Sequence, residues 1–168
     1  MAKYSKFLME HFQNPRNVGE ISNPEAVGIV ANASCGDIMQ MFIKVNGNRI
    51  SQAMFKTFGC GAAIATSSIL TERIKGSTID EALEISERIS KEILSELPKE
   101  KIPCFNLAAN ALKVAIEEYR CKQVRLHQKE ESDFSRREAE KADKDNVMAK
   151  EENFFLQKPF LDDSFKMD

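Results

Sequence analysis

Three cysteines stand in short contexts marked by glycine or proline: Ala33-Ser34-Cys35-Gly36-Asp37, Thr57-Phe58-Gly59-Cys60-Gly61 and Lys101-Ile102-Pro103-Cys104. Three soft thiols, with a carboxylate two residues after the first, suit a thiophilic metal or an iron–sulfur centre. No pair has the Cys-x-x-Cys spacing of a metal knuckle, so a shared site needs a fold that gathers distant segments. Singly, each thiol also fits a small buried hydrophobe. Their glycine flanks and their places at element junctions favour a common site for Cys35, Asp37, Cys60 and Cys104. Cys121, between Arg120 and Lys122, reads as an incidental thiol.

The elements that must position these residues follow from the apolar pattern. Tyr4, Phe7, Leu8 and Phe12 recur at helical spacing over residues 4–12, a stripe expected to pack on the core. Asn14-Pro15 ends that helix, since proline disfavours helix in the residue before it. Three strand-like runs follow: Ala26–Ala33, Ile38–Val45 and Ile50–Phe58. Met39, Met41, Ile43 and Val45 alternate onto one face of the second, and Ala53 and Phe55 lie opposite Met54 and Phe58 in the third. Asn46-Gly47-Asn48 between them is a hairpin signal, because glycine and asparagine accept positive φ.

The rest reads as helix. Ala62–Lys75 opens on small residues and is closed by Gly76. Thr78 and Glu81 have the spacing of a capping box, and Ala82, Ile85, Ile89 and Ile93 stripe the helix after it, up to a break at Leu97-Pro98. A last core helix is expected over about Phe105–Arg120, burying Ala108, Ala111, Leu112, Ala115 and Tyr119. Strands first and helices afterwards predict an α+β fold: a three-stranded antiparallel sheet with helices packed on one face.

In such a meander the turn after the first strand and the end of the third share one edge of the sheet. Cys35, Asp37 and Cys60 then become neighbours, and Cys104, just before the last helix, can reach the same rim. Gly36, Gly59 and Gly61 are expected to permit positive φ and to let the backbone approach a bound centre. One carboxylate oxygen among three thiolates holds a cluster less tightly than four thiolates would, which suits a protein that hands its cargo on.

Bulk properties narrow the class. The chain has 168 residues, 42% of them hydrophobic, with a net charge of −2 and acids and bases intermixed. That balance offers no one-sided basic patch for nucleic acid or an anionic membrane surface. No apolar run approaches the roughly 20 residues of a membrane helix. The N-terminal residues lack the apolar segment of a secretory signal, so a cytoplasmic location is expected. Residues 1–121 form the expected domain. Residues 122–168 form a charged C-terminal extension, helical or disordered, with an aromatic end from Phe154 to Phe165 that either docks on a partner or covers its own domain.

Taken together, these segments resemble the iron–sulfur cluster assembly scaffold family IscU, also called NifU N-terminal-like, over about residues 3–121. The resemblance is carried by Asn14-Pro15-Arg16-Asn17-Val18-Gly19, by Cys35-Gly36-Asp37-Ile38-Met39, by Lys56 through Ser68 and by Leu97 through Tyr119. It implies a scaffold, not an enzyme. Such a scaffold accepts persulfide sulfur from a cysteine desulfurase, receives iron and electrons, builds a labile [2Fe–2S] cluster and transfers it to apo-proteins. It also implies that Cys35, Asp37, Cys60 and Cys104 hold the cluster or metal, and that Cys104 first accepts persulfide. Zinc can occupy the cluster-free site, since its ligand preferences overlap. A homodimer is left open.

Two departures from the family pattern stand out. Pro103 replaces the usual histidine before the third cysteine. Leu97-Pro98-Lys99-Glu100-Lys101 replaces the Leu-Pro-Pro-Val-Lys that an Hsp70-type chaperone grips, which weakens the expectation of that partner. The missing histidine is shared with the zinc-binding SufU branch, whose members relay sulfur. The Cys60–Cys104 interval nevertheless has the uninserted IscU-type length. Rival classes fit less well. A phosphatase-type Cys-x5-Arg fails because Thr66 stands where arginine would. A Cys–His hydrolase needs an activating histidine, and only His11 and His127 exist. A structural zinc site would lack its usual knuckles.

Overall fold

The structure, a computed structural model, describes residues 5–33, 36–94 and 102–156. Its elements run α1 (Lys6–Gln13), β1 (Ala26–Asn32), β2 (Asp37–Asn46), β3 (Arg49–Phe58), α2 (Gly61–Ile74), α3 (Ile79–Leu94) and α4 (Ile102–Leu156). The three strands form one antiparallel sheet in the order β1-β2-β3. The β2–β3 hairpin closes on the Asn46↔Arg49 pair, and Gly47 takes the left-handed conformation its tight turn requires, at φ 62°.

Alternation fixes which face is inner. Ala26, Gly28 and Val30 pair with Ile43, Met41 and Met39, which in turn pair with Ala53, Phe55 and Thr57. A slip of one residue would turn every one of these side chains to the other face. α2 lies on the inner face, its Ser67 hydroxyl 3.4 Å from the Met39 sulfur. It approaches closely because its first turns carry Ala62, Ala63 and Ala65, all buried. Its buried hydroxyls are satisfied within the helix: Thr66 donates to the Ala62 carbonyl, Ser67 to Ala63 and Thr71 to Ser67.

α4 crosses the same face at Gly28. A Cβ there would sit 1.9 Å from the Ala111 carbonyl oxygen and 2.6 Å from the Ala115 nitrogen. Glu118 anchors the crossing by accepting a 2.8 Å bond from the Val27 N–H, and Lys122 reaches both Glu118 and the Glu25 carbonyl. α3 begins with the expected capping box: the Glu81 N–H donates to the Thr78 hydroxyl while the Thr78 N–H donates to Glu81 Oε2.

Two expectations need correction. The last helix does not end near Arg120 but runs on to Leu156. No glycine or proline occurs between Pro103 and Pro159, and the Lys, Glu, Arg, Gln and Ala that fill the stretch all favour helix. The contacts divide into two compact units, Met1–Lys122 and Gln123–Asp168. In the second unit Val124, Leu126, Phe134 and Met148 are exposed. The second correction concerns α1. Leu8 is buried, but Phe7 and Phe12 are nearly half exposed, and His11 takes the buried place at 1% exposure. Tyr4, the Leu97-Pro98 break and residues 157–168 lie outside the described residues. No described helix is long and apolar enough to cross a membrane.

Candidate functional site

Asp37 opens β2 and is only 6% exposed. Its Oδ2 is buried with no hydrogen-bond partner among the described residues. β2 and β3 end together here, with Ile38 opposite Phe58, which brings the Gly59-Cys60 turn against the carboxylate. A Cβ on Gly59 would lie 3.0 Å from Asp37 Cγ and 3.2 Å from Oδ2. Gly59 and Gly61 therefore supply room rather than positive φ; of the three glycines expected to use that freedom, only Gly36 does, at φ 71°.

Cys60 caps α2 in an extended conformation (φ −73°, ψ 162°) and is half-buried. Its carbonyl accepts from the Ile64 N–H at 3.3 Å, while its side chain makes no capping hydrogen bond and is left for other chemistry. The Phe12 ring rests on the next residue: a Cβ on Gly61 would come within 2.6 Å of Phe12 Cε2. Leu8, Met9 and Phe12 of α1 face Cys60, Ala62 and Ala65 across an apolar cleft of about 320 Å³.

α1 is held over Cys60 by a polar cluster. His11 Nδ1 lies 2.8 Å from the Ser68 hydroxyl, and Nε2 lies 3.2 Å from Arg16 Nη1. A guanidinium can only donate, so Nε2 carries the lone pair and the proton sits on Nδ1, donated to Ser68. Burial, and next the Arg16 charge, hold the His11 pKa below its ordinary value. Arg16 is itself braced by Glu72 at 2.7 Å and Glu10 at 2.6 Å, which raise its pKa. Sequence reasoning placed His11 on a helix without seeing this role. The partner Ser68 comes from α2, and no local pattern announces it.

The outer face of the sheet at this end is apolar and open. Phe58 is 80% exposed and its partner Ile38 is 46% exposed, with Ile29 exposed on β1. Of the expected ligands, then, Asp37 and Cys60 are brought together. Ser34 and Cys35 lie outside the described residues, although their neighbours Asn32 and Asp37 pair as the ends of the β1–β2 connection. Cys104 falls in the first turn of α4 and its side chain lies outside the description. Among the described residues no three His, Cys, Asp or Glu side chains form a metal-sized group. Cys121 is exposed on α4.

Comparison with known proteins gives this arrangement a context. Residues 3–126 match the family described as the NifU-like N terminal domain. The chain is 55% identical over 116 residues to iron-sulfur cluster assembly scaffold protein IscU 1 of Archaeoglobus fulgidus, covering 69% of this chain and 76% of that one. It is 45% identical over 128 residues to scaffold protein IscU of Aquifex aeolicus, covering 75% and 82%. Among solved structures, a candidate SUF-system cluster assembly scaffold from Fervidobacterium islandicum superposes with a TM-score of 0.59 at 26% identity, over 67% of this chain and 96% of that one. A NifU-like N-terminal protein from Brucella abortus shares the fold, with a TM-score of 0.61 at 20% identity, over 70% and 94%.

Proposed function

The chain belongs to the NifU-like N-terminal domain family, and on that premise we propose that it is a scaffold on which an iron–sulfur cluster is built and from which the cluster is passed on. The observation that carries this reading is the buried Asp37 carboxylate oxygen without a partner, set against the Gly59-Cys60 turn. An acceptor-only oxygen buried without a donor is costly unless a cation or a donor arrives to meet it. A carboxylate beside a thiol suits iron, with the oxygen as the harder and more readily displaced ligand. Relatives named as scaffold proteins, at 45% and 55% identity, support a carrier rather than an enzyme.

The finer reading assigns Cys35, Asp37, Cys60 and Cys104 to a [2Fe–2S] cargo. Cys104 is the first sulfur acceptor. Its thiolate attacks the outer sulfur of a desulfurase persulfide, the donor S–S bond breaks, the donor thiolate leaves and Cys104 carries the persulfide. Two electrons from an external reductant then convert that sulfur to sulfide, which joins iron. The sulfur donor and the apo-protein acceptors are protein partners. The open apolar face of Ile29, Ile38 and Phe58, at the end of the sheet that holds Asp37, is suited to docking them.

Anaerobic incubation of the full chain with a cysteine desulfurase, cysteine and ferrous iron tests the reading. The expected product contains iron and acid-labile sulfide in equal amounts, with visible absorption and Mössbauer signals of a [2Fe–2S] cluster. Pro103 at the position of the family histidine favours one second reading, a zinc-bound sulfur relay of the SufU kind. Persulfide on Cys104 with zinc retained and no labile sulfide would establish that relay and contradict cluster assembly.

A further inference from the structure

The packing between α3 and α4 opens into a polar cleft of about 330 Å³, bordered by Ser86, Glu87 and Lys91 on one side and Asn106, Asn110 and Lys113 on the other. Ser86 is 2% exposed, and its hydroxyl has no hydrogen-bond partner among the described residues. A turn away on α3, Ser90 avoids that problem by donating to the Ser86 carbonyl at 2.8 Å. An unsatisfied buried hydroxyl costs about 1–3 kcal/mol. A second void beside Ser86, of only about 10 Å³, is lined mainly by Leu70, Ile89 and Ala108. That is at most the space of one water. Across the open side, Lys91 and Lys113 make no ion pair and Asn106 and Asn110 no side-chain hydrogen bond among the described residues.

We propose that this cleft binds a small organic or inorganic dianion, a dicarboxylate or a phosphate group, held by Lys91 and Lys113 and hydrogen-bonded by Ser86, Asn106 and Asn110. Two ammonium groups face one carboxylate, Glu87, so the cleft is net cationic. A cation would meet both lysines, and a neutral polyol would leave both unused. Glu87 sets an upper bound on charge, since it repels the far end of a larger polyanion. The volume is at the small end of metabolite sites. The bound group would bridge α3 to the first turns of α4, two residues beyond Cys104 in the case of Asn106. The proposal needs neither the thiols nor a cluster.

The test uses the full chain without cluster and follows the side-chain amide signals of Asn106 and Asn110 by 1H–15N NMR. One titration uses L-malate, one uses inorganic phosphate, and sodium chloride at matched ionic strength is the control. Saturable shifts with malate or phosphate and none with chloride are expected, and the arm that saturates identifies carboxylate or phosphate as the group recognised. Lys91→Gln with Lys113→Gln, both on exposed positions, should weaken binding about tenfold. Ser86→Ala should weaken it several-fold without lowering Tm, because the lost hydroxyl has no partner to leave behind. Shifts that rise linearly, that chloride reproduces, or that keep their affinity in the lysine or Ser86 variants overturn the proposal. None of these outcomes bears on cluster assembly, so the two readings fail separately.

Discussion

α4 is one helix under two regimes. From Leu107 to Ile116 its apolar residues return every three or four positions, and Leu107, Ala108, Ala111, Leu112, Ala115 and Ile116 are all buried. From Cys121 onward nearly every described side chain is exposed, including Val124, Leu126 and Phe134. The first stretch is held by packing on a sheet that approaches to within a glycine's width. The second rests on intrinsic propensity and on opposite charges four apart, such as Asp133 and Arg137. Helix formation and membership of the core are therefore separable, and the candidate ligands all lie in the unit that has a core.

The sharpest way to break that contrast is at Gly28. Gly28→Ala drives a methyl into the α4 backbone, which cannot yield as a flexible side chain would. A loss of about 3 kcal/mol or more is expected in denaturant unfolding of the Met1–Lys122 unit. An unchanged midpoint would show that α4 is not seated on β1. Next comes the paired comparison on α4 itself. Leu112→Ala should cost about 2–5 kcal/mol, whereas Phe134→Ala, at 62% exposure, should stay within about 0.5 kcal/mol. Equal costs would erase the distinction between the two regimes.

A smaller effect is expected from protonation of His11, whose pKa lies below its ordinary value of 6.5 because of burial and the Arg16 charge. As pH falls the unfolded chain takes up this proton before the folded one does. The stability linked to His11 is therefore complete above about pH 6.5 and is lost as pH falls through the lower folded value. Glu72 and Glu10 oppose the shift, and Arg73 adds to it. Tm measured from pH 7 to pH 5 should fall, and His11→Gln should flatten that slope; an equal slope in the variant would contradict the account. The least effect is expected from deleting residues 123–168. This leaves Lys122 with its Glu118 and Glu25 contacts and should move Tm of the remaining domain by only a degree or two. A large drop would show that the extension belongs to the core.

Much of this organisation was legible beforehand because it is local. Alternation marked the strands and their inner faces, Asn46-Gly47-Asn48 marked the hairpin, and Thr78 with Glu81 marked the start of α3. What was not legible depends on partners far along the chain. His11 read as an ordinary polar helix residue, because Ser68 and Glu72 reach it from α2. The loss of apolar periodicity after Tyr119 was taken as the end of a helix, although it signals only the end of burial. At the site, the spacing placed Asp37 near Cys60, but that Asp37 Oδ2 would be buried without a partner is visible only in three dimensions.

The central claim is that the Asp37 oxygen beside Cys60 makes the cargo releasable, and the rate of cluster transfer to an apo-ferredoxin tests it most directly. The account predicts that reconstituted Asp37→Ala surrenders its cluster more slowly than the unaltered chain. A rate equal to that of the unaltered chain would contradict it.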